Sequence, residues 1–396
     1  MATRCTRPPR PGTILATRDA RPVHVQRLSL VDFRSYPDVD VAIGPGPVAF
    51  VGANGQGKTN LVEAIDYVAR LDSHRVSNDT PLVRAGADRA IVRAEVVRGD
   101  RTALLELEII PGKSNRARVN RADLPRVRDL IGILRTVMFS PEDLALVKGD
   151  PSDRRRFVDS LITLHSPRFA GIRADLDRVL KQRNTLLKNA GRRRDVEIAT
   201  LDIWDENLAK LGGELVARRL TLLDDLAPHL TNAYLRVAAD AAEHRRQVTA
   251  DYRPSLELPD GERDPVVIAG LLLEEMKRRR GDELDRGVSL VGPHRDDITL
   301  SIGELPAKGY ASHGESWSLS LALRLASFEL LREDGDDPVL ILDDVFAELD
   351  QGRRQQLADL VSGAEQVLVT AAVEADVPTE LLGRRFHVAA GEVSDG

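Results

Sequence analysis

The sequence predicts an α/β protein whose nucleotide-binding head is interrupted by an inserted helical arm. Three observations predict it. A glycine-rich loop, Gly52 to Thr59, follows the short apolar strand Val48-Ala49-Phe50-Val51. A second apolar strand, Val339 to Leu342, ends in the carboxylates Asp343 and Asp344. Between them, from Pro167 to Pro228, runs a leucine-rich stretch without proline. A nucleotide site assembled from the two strands across that gap needs a domain inserted between its halves.

The elements follow in order. Residues 1–22, rich in Arg and Pro, read as a disordered extension without the apolar core of a secretory signal. The abrupt change at Val23 predicts that translation starts there, from a GTG codon. Val23, Val25, Leu28, Leu30 and Phe33 mark one strand, and Val39, Val41 and Ile43 alternate in another. Gly44-Pro45-Gly46-Pro47 is a turn. Leu61, Ala64, Ile65 and Val68 lie on one face of a helix that opens at Thr59. Strands are expected at 90–97 and 104–110, with a basic hairpin at 115–121. The head's first part thus covers 23–150.

The arm is predicted over 151–286. Trp204, Leu208, Leu211, Leu215, Leu222 and Leu226 recur at helical spacing, the seam of packed antiparallel helices, with a turn near 189–192. From 287 to 396 strands and helices alternate again, completing the head. Hydrophobic residues at 42% and charged residues at 30% suit a globular chain of this length. The longest apolar runs, such as Val266 to Leu273, are far too short to span a bilayer. With one cysteine, Cys5, no disulfide forms within the chain. A soluble, cytoplasmic protein with no membrane partner is expected. The net charge of −6 excludes a wholly basic nucleic-acid coat but not local basic patches.

Gly52-Ala53-Asn54-Gly55-Gln56-Gly57-Lys58-Thr59 fits G-x-x-x-x-G-K-[ST]. Small residues let the backbone wrap a phosphate with its N–H groups pointing inward. Lys58 reaches the β- and γ-phosphates, and the Thr59 hydroxyl ligates Mg²⁺. The helix N-terminus favours the same anion. At the far strand, Asp343 is placed to hold Mg²⁺ through water and Asp344 to orient or deprotonate the attacking water. Ser312-His313-Gly314-Glu315 precedes a leucine-rich helix expected over 317–331, a second anion site that need not serve its own chain's phosphate. Ala347-Glu348-Leu349-Asp350 marks a turn, and Val367 to Thr370 a further apolar strand.

That order of motifs is the order of ABC-type ATPase heads, and the chain resembles the RecF family of SMC-like proteins from about residue 23 onward. The resemblance is carried by Leu30 to Tyr36, Gly55 to Ile65, Phe139 to Leu144, Val291-Gly-Pro-His-Arg-Asp-Asp297 and Ile341 to Asp350. It implies an ABC-type, SMC-like P-loop head that binds ATP and Mg²⁺, dimerises on ATP and hydrolyses it slowly, with DNA stimulating the reaction. It also implies work in replication restart, recombinational repair and the SOS response, at gapped or junction DNA, with RecO and RecR loading RecA. On this resemblance Ser312 and Gly314, with Glu315 where Gln is usual, form the signature that closes on a partner's ATP. Asp350 belongs to the dimer-interface turn. Thr370 stands in the apparent place of a switch histidine, and Glu142 near that of a metal-sensing Gln.

Basic clusters occur at Lys113, Arg116, Arg118 and Arg121, at Arg154–Arg156, at Arg192–Arg194 and at Lys277–Arg280. Any one alone is ordinarily a solvated face; several on one side of a closed dimer would track phosphates. Aromatic residues are only 4% of the chain and none interleaves with these clusters, so backbone contact with duplex or junction DNA is favoured over stacking on single strands. His294 and Arg295, with no second His or any Cys nearby, are expected to be structural or to face the nucleotide side rather than to bind metal. A transporter ATPase would share the loop and acidic strand but not need the arm. A small-molecule kinase would have no use for a trans signature.

Overall fold

The computed structural model describes residues 22–76, 78–190 and 198–396. Apart from Pro22, the 1–22 extension lies outside them, as does the Arg192–Arg194 cluster.

The chain begins with β1 (Val23–Phe33) and β2 (Tyr36–Ala42), an antiparallel pair. A bulge between Val25 and Arg27 shifts the alternation of β1 by one residue. That shift turns Leu28 inward and leaves Arg27 outside. β3 (Gly46–Val51) leads through the glycine-rich loop into α1 (Lys58–Arg70), which buries Leu61, Ala64, Ile65 and Val68. β4 (Ala90–Arg98), β5 (Arg101–Ile109), β6 (Arg116–Val119) and β7 (Ala122–Asp123) extend the first pair into an antiparallel sheet of order β2-β1-β4-β5-β6-β7. β8 (Thr136–Phe139) then enters a different sheet, followed by α2 (Leu144–Lys148) and α3 (Pro151–His165).

Next come α4 (Phe169–Ala190), α5 (Ile198–Val237), β9 (Val248–Arg253) and α6 (Pro265–Arg286). The leucine seam predicted between packed helices lies along α5, which packs on α4 and α6 and also on a helix of the head. α5 continues through Pro228, which forfeits a main-chain hydrogen bond; Leu222, Leu226 and Leu230 remain fully buried around it. The stretch is not helical throughout. β9 pairs antiparallel with β10 (Asp297–Ile302), which lies beyond the arm. Its Val-Thr-Ala-Asp-Tyr-Arg alternation was the available signal.

β11 (Leu305–Pro306), the short turn α7 (Ala307–Tyr310) and α8 (His313–Arg332) follow. The chain closes with β12 (Val339–Asp343), α9 (Gln351–Val361), β13 (Gln366–Ala371), β14 (Arg384–Ala389) and β15 (Glu392–Asp395). The central sheet has the order β15-β14-β3-β13-β12-β8. β3 lies between β14 and β13, parallel to both, and β12 lies between β13 and β8. Strands from the two ends of the sequence therefore alternate in one sheet, and neither end forms that sheet alone. One mixed α/β head thus carries a helical arm inserted between β8 and β12.

The arm is held by a buried charge cluster. Arg183 on α4 is fully buried; its Nε donates to Asp205 on α5 and its Nη2 to Glu283 on α6, each at 2.6 Å. Its Nη1 donates to Ser289 Oγ at 2.7 Å, just past α6. Removing the cation would leave the buried Glu283 carboxylate without its counterion and Asp205 with Arg280 alone. Arg183→Ala is expected to destabilise the protein by about 3–5 kcal/mol in urea unfolding, and a loss below ~1 kcal/mol would show that the cluster does not hold the helices together.

Candidate nucleotide site

The phosphate loop is fixed by close approach from two sides. A Cβ on Gly52 would lie 2.1 Å from the carbonyl oxygen of Val388, so only glycine lets β14 run beside the loop. Gly57 has a φ of +109°, and a Cβ there would meet the Tyr36 hydroxyl at 2.7 Å. That hydroxyl donates to the Gly57 carbonyl at 3.1 Å. Gln56 Oε1 accepts from the Ala390 N–H at 2.6 Å, tying the loop to the turn after β14. Lys58 is buried, and its ammonium points back into the loop, toward the Ala53 carbonyl at 3.3 Å and Asn54 Oδ1 at 3.5 Å. Those weak, long contacts leave the charge ready for a phosphate oxygen.

Asp343 meets this loop from the other end of the chain. The Thr59 hydroxyl donates to Asp343 Oδ1 at 2.9 Å, across 284 positions of sequence. Thr370 Oγ1 donates to the same oxygen at 2.6 Å and accepts the Asp344 N–H at 2.9 Å. Thr370 is thus buried behind the two aspartates, where it positions both. Asp344 has a φ of +50°, a left-handed conformation that costs a non-glycine residue about 1–2 kcal/mol. The bond from its N–H to Thr370 supports that conformation. Burial raises the Asp343 carboxyl above its ordinary range, the hydroxyls of Thr370 and Thr59 oppose that, and the charge of Asp344 adds to it. A carboxylate so placed favours a nearby cation. Among the described residues no three His, Cys, Asp or Glu side chains could hold a metal alone. Thr59 and Asp343 instead offer the one or two protein oxygens that Mg²⁺ takes when phosphates and waters supply the rest.

The Ser-Gly segment forms a separate assembly. Ser312 is the N-cap of α8, which begins at His313, four residues before the expected start. Its Oγ accepts the Glu315 N–H at 3.2 Å, and Glu315 Oε2 accepts the Ser312 N–H at 2.8 Å. This is a capping box, and it explains the glutamate at that position. Glu315 Oε1 also accepts from Arg245 Nε at 2.8 Å. A Cβ on Gly314 would lie 2.8 Å from the Arg353 guanidinium, and the Arg353 N–H donates to Asp350 Oδ1 at 3.0 Å. Gly314 and Asp350 therefore share one neighbourhood. Among the described residues, no hydrogen bond or ion pair joins Ser312, Gly314, Glu315 or Asp350 to the phosphate loop.

The Gly-Pro-His-Arg-Asp-Asp segment serves packing between arm and head. Asp296 is buried and accepts from the Tyr252 hydroxyl and, at 2.7 Å, from the Ser255 N–H. Arg219 on α5 donates to the Pro293 carbonyl at 2.7 Å and holds Asp159 on α3 with two bonds of 2.7 and 2.9 Å. Burial pushes the His294 imidazole down to about 4, so it is neutral at pH 7. Of the expected basic clusters, Arg154 is buried against Asp297 and Arg155 donates to the Asp296 carbonyl. Arg278 and Arg279 pair with Glu275, and Arg280 with Asp202 and Asp205. Arg118 pairs with Asp123 at 2.6 Å. Lys113, Arg116 and Arg121 are exposed and free of ion pairs among the described residues. Sequence reasoning missed Glu63, buried on α1, which gathers Arg34, Arg75 and Ser73 around the base of the loop. An acidic residue within the apolar stretch of an amphipathic helix was the available signal.

The family model described as the RecF/RecN/SMC N-terminal domain matches residues 24–379. A protein of Nocardioides sp. named DNA replication and repair protein RecF is 58% identical over 420 residues, covering 94% of this chain and 99% of its own. One of the same name from Frankia alni is 60% identical over 379 residues, with the same coverage. A solved structure of the recombination mediator protein RecF with ATP, in the RecFOR pathway, superposes with a TM-score of 0.86 at 26% identity, covering 97% of this chain and 100% of that one. The Smc head of Pyrococcus furiosus, at 17% identity and a TM-score of 0.52, shares the fold.

The Glu315 tether gives a pH prediction. Its carboxyl is drawn down to about 2, first by the hydrogen bond from Arg245. Its contribution is therefore complete above the ordinary 4.5 and disappears as the pH falls through about 2. A carboxyl-carbon NMR titration is expected to show a midpoint near 2 for Glu315. A midpoint near 4.5 would mean that the tether does not form.

Proposed function

We propose a function from one premise: this chain belongs to the RecF/RecN/SMC family, and within it to the RecF proteins of DNA replication and repair. On that premise it is an ATP-switched DNA-binding protein. The observation that carries the reading is the separation just described. A complete phosphate and metal half-site and a complete Ser-Gly half-site are both built in one chain, without contact between them.

A second copy supplies what each half lacks. In the proposed homodimer the loop from Gly52 to Thr59 binds the nucleotide phosphates, with Lys58 directed at the outer ones. Thr59 and Asp343 hold Mg²⁺, which when bound neutralises phosphate charge. Ser312 and Gly314 of the other copy close over the nucleotide, and Asp350 lines the same contact. Asp344, lifted into its left-handed turn, orients the attacking water, while Thr370 keeps the pair of aspartates in place. Hydrolysis is slow, DNA-stimulated, and reopens the dimer.

The DNA step follows from the charge distribution. With a net charge of −6 and most arginines already paired, DNA contact must be local and salt-sensitive. Lys113 and Arg116 at the β5–β6 hairpin and Arg121 at the β6–β7 turn are the candidate phosphate contacts. Gapped or junction DNA is the proposed substrate, RecO and RecR the proposed partners, and loading of RecA the proposed outcome. Among the described residues no helix is long and apolar enough to cross a membrane, which accords with the proposed cytoplasmic location.

Sedimentation velocity tests the reading. ATP with Mg²⁺ is expected to convert monomer to dimer and to tighten DNA binding, and Lys58→Met to abolish both. Asp344→Asn is expected to slow hydrolysis by about 10²-fold and prolong the dimer. A monomer at every ATP concentration, with DNA affinity indifferent to nucleotide, would overturn the proposal.

A further inference from the structure

The groove between α4, α5 and α6 differs from the rest of the arm in what it leaves uncovered. It has a volume of about 640 Å³. Its floor is apolar: Phe169 at the start of α4 and Ala217 on α5 are buried, and Ala269 on α6 is half-buried. Pro265 and Val266, in the first turn of α6, line it too. Val266 is 76% exposed, and Val267 beside it 43%. That exposure is not the fraying of a helix end. A Cβ on Gly213 would lie 2.3 Å from the Pro265 carbonyl oxygen, so α6 starts pressed against the backbone of α5. Asp264 caps the helix by accepting the Val266 N–H at 2.8 Å, and Arg263 Nη2 donates to Asp224 on α5 at 3.0 Å. Two valines held outward on so fixed a backbone read as a contact surface.

The charges around the groove say what partner would fit. Arg168, Lys210 and Arg218 line it, against one carboxylate, Glu214. Arg168 is held over the Phe169 ring, 4.9 Å from its centroid, and among the described residues it meets no acid. Lys210 and Glu214 stand one turn apart on α5, the spacing of a helical ion pair, yet among the described residues neither forms one. Arg218 reaches Asp225 only at 3.5 Å. Elsewhere in the arm, Arg183, Arg219 and Arg280 each meet a carboxylate at 2.6–2.7 Å. An apolar strip rimmed by three cations and one acid is thus left open in a chain whose net charge is −6. Its complement is apolar and acidic at once. A nucleic-acid backbone matches it less well, since phosphates gain nothing from Val266 and are repelled by Glu214.

We propose that this groove docks an amphipathic, acidic helix of a partner protein. The apolar face of that helix covers Val266 and Val267 and reaches the floor at Ala217 and Ala269. Its carboxylates pair with Arg168 and Lys210, which stand ready without acids of their own. Docking of a helix into a groove suits this place, because α4, α5 and α6 are already braced against one another by Arg183 with Asp205 and Glu283. Little of the site has to be ordered when the partner arrives. The groove belongs to the arm, and its role does not depend on the reading of the head as an ATPase.

Fluorescence anisotropy on the full chain tests this with a labelled peptide of Leu, Asp and Glu, about four helical turns long, its leucines on one face. Two control peptides replace the leucines by Ser, or the acids by Asn and Gln. Peptide and protein are both negative, so binding has to come from a local match rather than from overall attraction. The acidic leucine peptide is expected to bind, and Lys210→Glu and Val266→Asp each to weaken it by about tenfold. Both control peptides are expected to bind more weakly by a similar factor. The urea midpoints of the two variants are expected to match wild type, which separates lost docking from lost folding. No binding at ~1 mM peptide, or an affinity unchanged in either variant, would overturn the proposal. So would a short DNA duplex that displaces the peptide and is itself weakened by Lys210→Glu, since the groove would then be a nucleic-acid surface.

Discussion

The hydrogen bond from the Thr59 hydroxyl to Asp343 is the contact on which the rest of the molecule depends. It joins residues 284 positions apart through the interleaving of strands from both ends of the chain. β3 must enter the sheet between β13 and β14, so that the loop after β3 opens beside the end of β12. The chain ends thus fold as one layer, and everything between β8 and β12 must leave that layer and return to it. The helical arm is that excursion. Its return through β9 and β10 and its packing of α5 on α8 keep it attached to the head.

Charge does two different jobs in this protein. At the nucleotide site it is held loosely: Lys58 has only long contacts, and burial raises the Asp343 carboxyl against the hydroxyls of Thr370 and Thr59. Those groups gain most from a bound phosphate. In the arm, several arginines are instead spent on carboxylates. Arg183, Arg219, Arg154 and Arg280 are each matched by carboxylates, and these pairs set how the helices meet. Such pairs contribute less net stability than apolar packing but strongly disfavour misaligned helices, where a charge would be buried alone. The arginines held in these pairs are not available to DNA.

The parts of the fold governed by local rules were legible in the sequence. The loop needs small residues and a lysine at fixed spacing, and the flanking strands alternate or run apolar as burial requires. The start of α8 was legible too, but in a different way: Ser312 and Glu315 stand at capping-box spacing, a signal obscured by comparing Glu315 with the glutamine of a signature. β9 escaped because six alternating residues in helical surroundings carry little weight beside the long leucine pattern around them. The charge clusters were not legible at all. Asp205 and Glu283 lie 22 and 100 positions from Arg183, and nothing local distinguishes an arginine that will be buried from one that will be solvated.

The central claim is that one chain holds two halves of different sites, completed only by another copy. A mixing experiment tests it directly, with Lys58→Met and Ser312→Arg as the two chains. Each alone has no intact composite site and is expected to be inactive. In a two-fold dimer of one of each, the Lys58 of the second chain faces the Ser312 of the first, so one site is whole. Only the mixed pair then closes on ATP, with one of its two sites whole, so an equal mixture restores up to about half of the wild-type ATPase rate. A mixture as inactive as its separate components would contradict the account, because it would mean that each nucleotide is served by a single chain.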